Sequence, residues 1–255
     1  MSAGPSAVEL RAVSVRYGDH VAVDRADLVA PAGVITALVG PSGSGKSSLL
    51  FAVNRLHDLD RSVTVTGDLR LGALDLAKAP GDALRTRIGL VFQRPAPFPM
   101  SILENVTFAL RAHGAPRSEL PGRAEHALRR AALWDEVQDR LTRPAAGLSG
   151  GQQQRLCLAR ALALEPEALL LDEPCSALDP RSTALIEDTL LGLRGSTTVL
   201  LVTHNLAQAR RVASRCVCLW PAPGGGRVTD AGPIDRVFEA PATRELADYF
   251  RGATG

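Results

Sequence analysis

A glycine-rich loop with a lysine and a serine at its end lies between an apolar stretch and a helical pattern. It fits GxxxxGK[ST] in full and has the strand-to-helix context that the pattern requires. Backbone N–H groups of such a loop surround phosphates, and the helix N-terminus adds positive potential. Only two of the 29 basic residues are lysines, Lys46 and Lys78, so a compact ammonium is favoured here over a planar guanidinium. We expect Lys46 to reach the β- and γ-phosphates of a nucleotide and Ser47 to bind Mg²⁺; a glycine-rich turn without a ligand is the alternative. The residues predicted to bind the nucleotide here are Gly40, Pro41, Ser42, Gly43, Ser44, Gly45, Lys46, Ser47 and Ser48.

Two carboxylates follow a second apolar stretch, in the sequence LLLDE from Leu169 to Glu173. One acid at the end of a strand could serve solubility alone. Together with a phosphate loop, Asp172 is better interpreted as the carboxylate on the Mg²⁺ side. Glu173 is then placed to orient or deprotonate an attacking water molecule.

The sequence LSGGQ, from Leu148 to Gln152, predicts a second anion-binding helix end. We call it the signature segment. Ser149 can cap a helix over Gly151–Leu164, and the glycines expose backbone donors at its start. Plain capping explains Ser149 but not the paired glycines, Gly150 and Gly151, which cost helix stability. Two phosphate-binding ends with one lysine suggest that the second end serves the nucleotide of another subunit.

Strand and helix patterns alternate along most of the chain. This alternation predicts an α/β fold with a mostly parallel sheet covered on both faces. From about residue 95 to 160 the pattern is helical, with no convincing strand. Predicted strands are Val8–Val15, Val21–Val29, Val34–Val39, Val63–Leu71, Ile88–Phe92, Ala168–Leu171, Thr198–Val202 and Cys216–Leu219. Predicted helices cover Lys46–Leu56 and begin at Pro180 and Asn205; a turn is expected at Gly18-Asp19, and PAPGGG, from Pro221, is interpreted as a flexible turn and no more.

Three alternating prolines, at positions 95, 97 and 99, follow the strand that ends near Gln93. Alternating prolines hold the chain extended and semi-rigid. Ser101 and Glu104 then form the capping-box pattern of a new helix. Phe98, Pro99 and Met100 come just before that cap. They form either an exposed or half-exposed apolar patch, which we favour, or part of the core of the helical region.

Composition excludes several classes of protein. A net charge of +2 is too small to favour nucleic acid as the main partner. The N-terminus lacks a basic head followed by an apolar run, so a signal peptide is not expected. No stretch approaches the roughly 18 apolar residues that span a bilayer. The four cysteines show no metal-ligand spacing, which favours free thiols in a reducing compartment.

The phosphate loop, LSGGQ and LLLDEP, in this order, resemble the ATP-binding cassette ATPases over essentially the whole chain. The resemblance implies a P-loop NTPase (RecA-like) core over 1–94 and 160–255, an N-terminal antiparallel β subdomain, and an inserted helical subdomain over about 95–159, in one domain over 1–255. The sequences FQRPAPFPMSI, AALWDEV and LSGGQQQRLCLARAL narrow it to the ATP-binding proteins of phosphate importers. Three features depart from the family pattern, and none is a catalytic position. They are Cys175, where the wider family often has Thr, the longer PAPGGG turn and the tail DYFRGATG.

The resemblance also implies roles for further residues. Tyr17 stacks on adenine, although by itself it would be a half-buried strand tyrosine. Gln93 reaches Mg²⁺ and the attacking water, and His204 contacts the γ-phosphate, although outside this context it would be a surface histidine at a strand end. Asp179 lies in a segment that crosses a dimer interface, and with Pro180 it also makes a good helix start. The nucleotide of a partner copy is bound by Ser149, Gly150, Gly151 and Gln152.

The function implied is ATP hydrolysis, with Mg²⁺, in a dimer that drives phosphate import. The partners implied are a second copy of the chain, two transmembrane permeases and, indirectly, an external phosphate-binding protein, at the cytoplasmic face of the membrane. Alternatives are the ATPase of another importer, for polar amino acids or metal complexes, and a soluble cassette ATPase of DNA repair or translation. A small-molecule kinase with the same loop is a third alternative, but LSGGQ and His204 have no role in it.

Overall fold

A computed structural model describes residues 4–252 of the chain. In chain order its strands are β1 (Val8–Tyr17), β2 (His20–Ala30), β3 (Ile35–Val39), β4 (Val63–Leu71), β5 (Leu74–Asp75), β6 (Ile88–Val91), β7 (Ala168–Asp172), β8 (Thr198–Val202), β9 (Arg215–Trp220) and β10 (Arg227–Pro233). Its α-helices are α1 (Lys46–Asn54), α2 (Gly81–Arg87), α3 (Ile102–Ala112), α4 (Leu120–Arg130), α5 (Trp134–Val137), α6 (Gly150–Leu162), α7 (Pro180–Gly192), α8 (Leu206–Val212), α9 (Ile234–Glu239) and α10 (Arg244–Phe250). Short 3₁₀ turns cover Leu56–Leu59, Gln138–Arg140 and Ala145–Gly147.

The strands form two sheets. A four-stranded antiparallel sheet has the order β2-β1-β4-β5, and a six-stranded sheet has the order β10-β9-β3-β8-β7-β6. In the second sheet every neighbouring pair is parallel except β9 and β10. The predicted α/β fold with an N-terminal antiparallel β subdomain is therefore confirmed.

Buried apolar residues lie on both faces of the six-stranded sheet. On one face Val39 and Leu171 belong to a cluster that extends into the helical region, where it includes Leu128. On the other face Leu38 and Leu170 belong to a cluster shared with α1 and the antiparallel sheet. Side chains alternate across a strand, so consecutive apolar residues of β3 and β7 fill both clusters.

Most predicted elements lie where the patterns place them. Two predicted ranges, Val63–Leu71 and Thr198–Val202, match the structure residue for residue, and α7 begins at Pro180. Helix α1 ends at Asn54, earlier than predicted, because Arg55 adopts a left-handed conformation (φ 55°) and caps the helix. Helix α6 runs across residue 159, where the predicted helical subdomain ends. The division into a core and a helical subdomain stays a prediction.

The PAPGGG turn does more than join β9 and β10. Gly226 accepts a hydrogen bond from Asp24 N at 2.9 Å and donates one to Ala22 O at 3.0 Å. A Cβ atom added at Gly226 would lie 1.9 Å from Ser44 O in the phosphate loop. The turn thus packs against the loop, and the interpretation as a flexible turn and no more was wrong.

The C-terminal helix α10 packs against the end of β9. The rings of Trp220 and Tyr249 meet edge to face at 5.5 Å, and those of Phe238 and Phe250 stack at 4.4 Å. The last three residues of the tail lie outside the described residues. Within residues 4–252, no helix combines the length and apolar character that crossing a bilayer takes.

Candidate functional site

The predicted chemical residues follow the carboxyl ends of four neighbouring parallel strands. The phosphate loop, Gly40–Ser47, follows β3, and His204 follows β8. Asp172 is the last residue of β7, Glu173 follows it, and Gln93 follows β6. These strands are adjacent in the order β3-β8-β7-β6. Because the carboxyl ends of parallel strands meet at one edge of a sheet, the residues come together there, as is typical of ligand sites in α/β folds.

The phosphate loop needs glycine where backbone approaches backbone. A Cβ atom at Gly40 would lie 2.0 Å from Leu219 O, and one at Gly45 would lie 2.5 Å from Ala22 O. Gly45, at φ 93°, precedes the first residue of α1. Ser42 and Gly43 are exposed at the tip of the loop, whereas Ser44 is fully buried. The sequence therefore shapes a loop whose tip faces solvent, as phosphate binding requires.

Lys46 lies inside its own loop. Its ammonium donates to the carbonyl oxygens of Gly40 and Pro41, each at 2.8 Å, and the side chain is almost fully buried. Burial lowers the pKa of Lys46, and attraction to Glu173 and Asp172 opposes this shift. A buried ammonium whose direct hydrogen-bond partners are neutral carbonyl oxygens is available to bind an anion.

Ser47 and Asp172 are brought together, as predicted for a metal site. The hydroxyl of Ser47 donates to Asp172 Oδ1 at 2.9 Å. Asp172 is buried, and burial raises its pKa, with Glu173 adding to the shift and Ser47 opposing it. A nearby cation would offset this cost. A hydroxyl and a buried carboxylate are hard oxygen ligands of the kind that Mg²⁺ prefers.

Glu173 contacts the other two residues that are predicted to be catalytic, Gln93 and His204. Its Oε2 accepts from Gln93 Nε2 at 3.1 Å and lies 3.0 Å from His204 Nδ1. Within residues 4–252 its Oε1 has no hydrogen-bond partner, so this oxygen can accept a proton from water. Glu173 has φ 46°, a left-handed conformation that turns the chain directly after β7. Gln93 contacts Glu173 and not Asp172, although the metal site was predicted to include Gln93.

Two further predicted residues are Tyr17, expected to contact the nucleotide, and Asp179, expected to lie at the interface with a second copy of the chain. Tyr17 is partly exposed and donates to Ser48 Oγ at 3.2 Å, beside the start of α1. Asp179 caps α7 by accepting from Ser182 N at 3.0 Å. The helix-start interpretation of Asp179 is thus confirmed, and its place in an interface stays a prediction.

The signature segment lies apart from the phosphate loop in this chain. Ser149 caps α6 with Gln152 in a complete capping box. Gly151 is required by packing, because a Cβ atom there would lie 2.2 Å from Ser182 Oγ of α7. Gly150 faces open space. Among the described residues no hydrogen bond joins Ser149, Gly150 or Gly151 to the phosphate loop, so the two predicted phosphate-binding ends are separate.

Three residues near the site were missed by sequence reasoning. Glu136 and Arg155 form an ion pair at 2.7 Å beside the signature segment. Gln154, also in α6, donates to the carbonyl of Phe92 at 3.0 Å, next to Gln93. No local pattern singles them out, because other polar residues, such as Asp135 and Gln153, lie directly beside them.

Cys175, between Glu173 and Asp179, is not activated. Burial raises the pKa of this thiol to about 11. A thiol with such a pKa stays protonated and is a poor nucleophile. The four cysteines at positions 157, 175, 216 and 218 are free in the structure.

Comparison with known proteins adds to this geometry. The ABC transporter family model matches residues 23–176. The phosphate import ATP-binding protein PstB 1 of Nitrosococcus oceani is 47% identical over 97% of this chain and 91% of its own length. The phosphate import ATP-binding protein PstB of Corynebacterium glutamicum is 45% identical over 98% of this chain and 100% of its own length. The protein of the same name from Shewanella denitrificans is 45% identical over 100% of this chain and 93% of its own length.

Proposed function

Since this chain belongs to the ABC transporter family, we propose that it is the ATP-hydrolysing subunit of an importer of inorganic phosphate. The observation that carries the ATPase part is the meeting of Glu173, Gln93 and His204 beside a phosphate loop that encloses Lys46. The substrate is proposed from the names of the relatives, which match nearly the whole chain at 45–47% identity.

ATP binds with its phosphates against the loop Gly40–Ser47. The backbone N–H groups at the loop tip and the N-terminus of α1 face the phosphates. Lys46 exchanges its two carbonyl partners for phosphate oxygens, which compensate the buried charge better. Tyr17, at the start of α1, stacks on the adenine, and Ser48 lies between them at the α-phosphate.

Ser47 and Asp172 would hold Mg²⁺, with Gln93 as the third predicted ligand. A bound ion would supply positive charge to neutralise the charge that develops on the β- and γ-phosphates. Burial raises the pKa of Asp172, and a bound cation would offset that cost. In the structure the amide of Gln93 contacts the carboxylate of Glu173. To bind the metal, this amide would exchange that contact for one with the ion.

Hydrolysis uses the contacts of Glu173. Gln93 and His204 both engage Oε2, which fixes the carboxylate and leaves Oε1 to orient water and accept its proton. His204 is exposed on the side where the γ-phosphate would lie. Loss of the Glu173 carboxylate should therefore stop the chemical step while leaving nucleotide binding intact.

The second phosphate-binding end completes the site of a partner copy. Gly150 has open space around it, and among the described residues no hydrogen bond joins Ser149 or Gly150 to the phosphate loop of their own chain. A dimer that encloses two ATP molecules gives both ends a ligand. Two transmembrane permeases and, indirectly, an external phosphate-binding protein complete the transporter, with this chain peripheral at the cytoplasmic face. The chain works as one domain whose core covers 1–94 and 160–255 and whose helical subdomain covers about 95–159.

The test is transport by the assembled complex. The chain is tagged, purified with the permeases that accompany it, and reconstituted in vesicles that contain ATP and Mg²⁺. We expect uptake of labelled phosphate in the presence of the external binding protein, and no uptake with the Glu173→Gln variant as a matched control. Uptake of a polar amino acid in place of phosphate would make the chain the ATPase of another importer. If no permease accompanies the purified chain, the soluble cassette class would be favoured.

A further inference from the structure

Glu136, in the short helix α5, contacts the signature helix α6 at two side chains. Its carboxylate accepts from Gln152 Nε2 at 2.7 Å. It also accepts from Arg155, with distances of 2.7 and 3.2 Å to the two terminal nitrogens. Gln152 is the last residue of the signature segment, so an acid outside that segment is joined directly to it.

The amide of Gln152 connects Glu136 to Ser149. Its Oε1 accepts from the backbone N–H of Ser149 at 3.0 Å, while its Nε2 donates to Glu136. An amide side chain has one acceptor end and one donor end. A carboxylate at position 136 can only accept, so it holds the donor end of Gln152 and turns the acceptor end toward Ser149.

This orientation completes the capping box of α6. Ser149 Oγ accepts from the backbone N–H of Gln152 at 3.3 Å, and the Gln152 side chain returns to the backbone of Ser149. The two hydrogen bonds fix both the backbone and the hydroxyl of Ser149. The hydroxyl is therefore held at the helix end where an anion would bind.

Arg155 holds Glu136 in place. The Arg155 side chain is only 4% exposed, and it also donates to the carbonyl of Ala132. A buried guanidinium needs a charged partner, which ties the Glu136 carboxylate to one position. The hydrogen bond from Arg155 lowers the pKa of Glu136, so the carboxylate stays ionised and remains an acceptor at neutral pH.

We propose that Glu136 is a positioning residue that orients Ser149 of the signature segment, through Gln152, for the nucleotide of a partner copy. Glu136 itself touches no nucleotide. This inference rests on the proposed function, because Ser149 has a nucleotide to contact only in the ATP-bound dimer.

Glu136→Gln tests the proposal with nearly unchanged volume. The oxygen of the new amide pairs with Arg155, and its NH₂ group then faces Gln152. Gln152 must turn its own oxygen toward position 136, and Ser149 N loses its acceptor. In a Glu173→Gln background, we expect the ATP-dependent dimer to weaken about tenfold or more, as for the loss of a charge-assisted hydrogen bond. ATP affinity of the monomer should not change, and both are measured by analytical ultracentrifugation and nucleotide titration.

Two further variants in the same background serve as the negative and the positive control for weakened dimerisation. Asp135→Asn makes the same charge change one residue away, at a side chain that is 89% exposed, and should leave the dimer unchanged. Ser149→Arg should abolish the dimer. If Glu173→Gln alone forms no dimer with ATP in the complete transporter, the proposed function fails, and the inference, which rests on it, fails with it. If Glu136→Gln dimerises like Glu173→Gln alone, the positioning role is overturned.

A rescue separates positioning from loss of folding. Gln152→Glu alone places two carboxylates together at positions 136 and 152 and should weaken the dimer. In the double variant Glu136→Gln/Gln152→Glu, the amide at 136 can donate to the carboxylate at 152, whose other oxygen accepts from Ser149 N. We expect the double variant to dimerise more tightly than Gln152→Glu. A double variant no better than that single variant contradicts the proposal, even if Glu136→Gln proves too unstable to assay.

Discussion

The ammonium of Lys46 is bound by the carbonyl oxygens of Gly40 and Pro41 within its own loop. Burial lowers its pKa, which means that the charged form is costly while the loop has no anion. Phosphate oxygens relieve that cost when ATP binds. A single charge can therefore contribute to ligand affinity without contributing to the stability of the fold.

Lys46→Ala separates these two effects. We expect ATP affinity to fall by roughly 10- to 100-fold, because charge-assisted hydrogen bonds to phosphate are lost. The midpoint of thermal unfolding should not fall, because an unfavourably buried charge is removed. The control is Lys78→Ala, which removes the other lysine, an exposed one whose partner is Asp75. Unchanged ATP affinity in a folded Lys46→Ala protein would contradict the assignment of the loop.

Secondary-structure elements show what local sequence can and cannot predict. Some features depend only on residues within one turn, so sequence alone identifies them. They are the phosphate loop, the start of α7 and the helix caps at Ser101, Ser149 and Asp179. Strand β5, with two residues, and α2, with seven, are too short to give a periodic pattern.

Contacts between distant elements were beyond the reach of the sequence. Glu136 and Gln152 are 16 residues apart, and Gln154 and Phe92 are 62 apart. Nothing local tells which acid an amide will meet. The chemistry of the site was therefore predictable from motifs, while the residues that orient it depend on tertiary packing and had to be seen.

The segment Pro95–Met100 illustrates the same limit. Prolines predict its stiffness, but two other elements fix its place. Asn105 of α3 is fully buried, accepts from Phe98 N at 2.7 Å and donates to the carbonyl of Ser101 at 2.9 Å. Arg160 of α6 donates to the carbonyl of Ala96 at 3.1 Å and lies over the ring of Phe98. The segment is thus held by α3 and α6 as well as by its prolines.

The turn between β9 and β10 packs against the phosphate loop at Ser44. The Gly226→Ala variant tests whether this contact sets the shape of the loop. The added methyl group would meet Ser44 O at 1.9 Å, so the loop or the turn must shift. We expect weaker ATP binding, and destabilisation of about 1–3 kcal/mol as for other overpacked sites, although Gly226 lies outside the phosphate loop. Both are measured by nucleotide titration and denaturant unfolding.

Gly224→Asn is the matched control in the same turn. Gly224 has open space around it, and its φ of 86° is one that Asn tolerates better than other residues. This variant should bind ATP like the wild type. If Gly226→Ala binds ATP equally well, the turn does not set the shape of the loop.

At the scale of the whole molecule, a continuous path leads from the catalytic residues to the signature segment. Gln93, beside Glu173, begins the segment that reaches Met100. The backbone of Met100 and Ile102 then pairs with that of Ala145 and Arg143, at 3.0 and 3.1 Å. Ser149 follows a few residues later. A shift at Gln93 can therefore be transmitted to α3 and to the signature segment, because the backbone between them is either extended or hydrogen-bonded.

An apolar surface lies midway along this path. Phe98 and Met100 are half-buried, Pro99 is exposed, and Phe108, 45% exposed, packs on Phe98 at 5.0 Å. Because Phe98 and Met100 are only partly buried, the choice between the patch and the core interpretations stays a prediction. A cleft of about 460 Å³ that includes Ile102 and Leu148 lies close by. We propose that a short cytoplasmic helix of the permease binds this surface, which would let ATP binding move permease and segment together.

Met100→Arg tests whether this surface couples hydrolysis to transport. An arginine here can extend into solvent, so we expect the isolated subunit to keep its fold and its basal ATPase activity. ATP-driven phosphate uptake by the assembled transporter should fall sharply, because a charge replaces an apolar contact at the permease interface. Leu59→Arg, the same kind of change at a side chain that is 76% exposed in another part of the chain, is the control and should transport normally. Lost folding in Met100→Arg would favour the core interpretation, and wild-type uptake would exclude the segment from the coupling path.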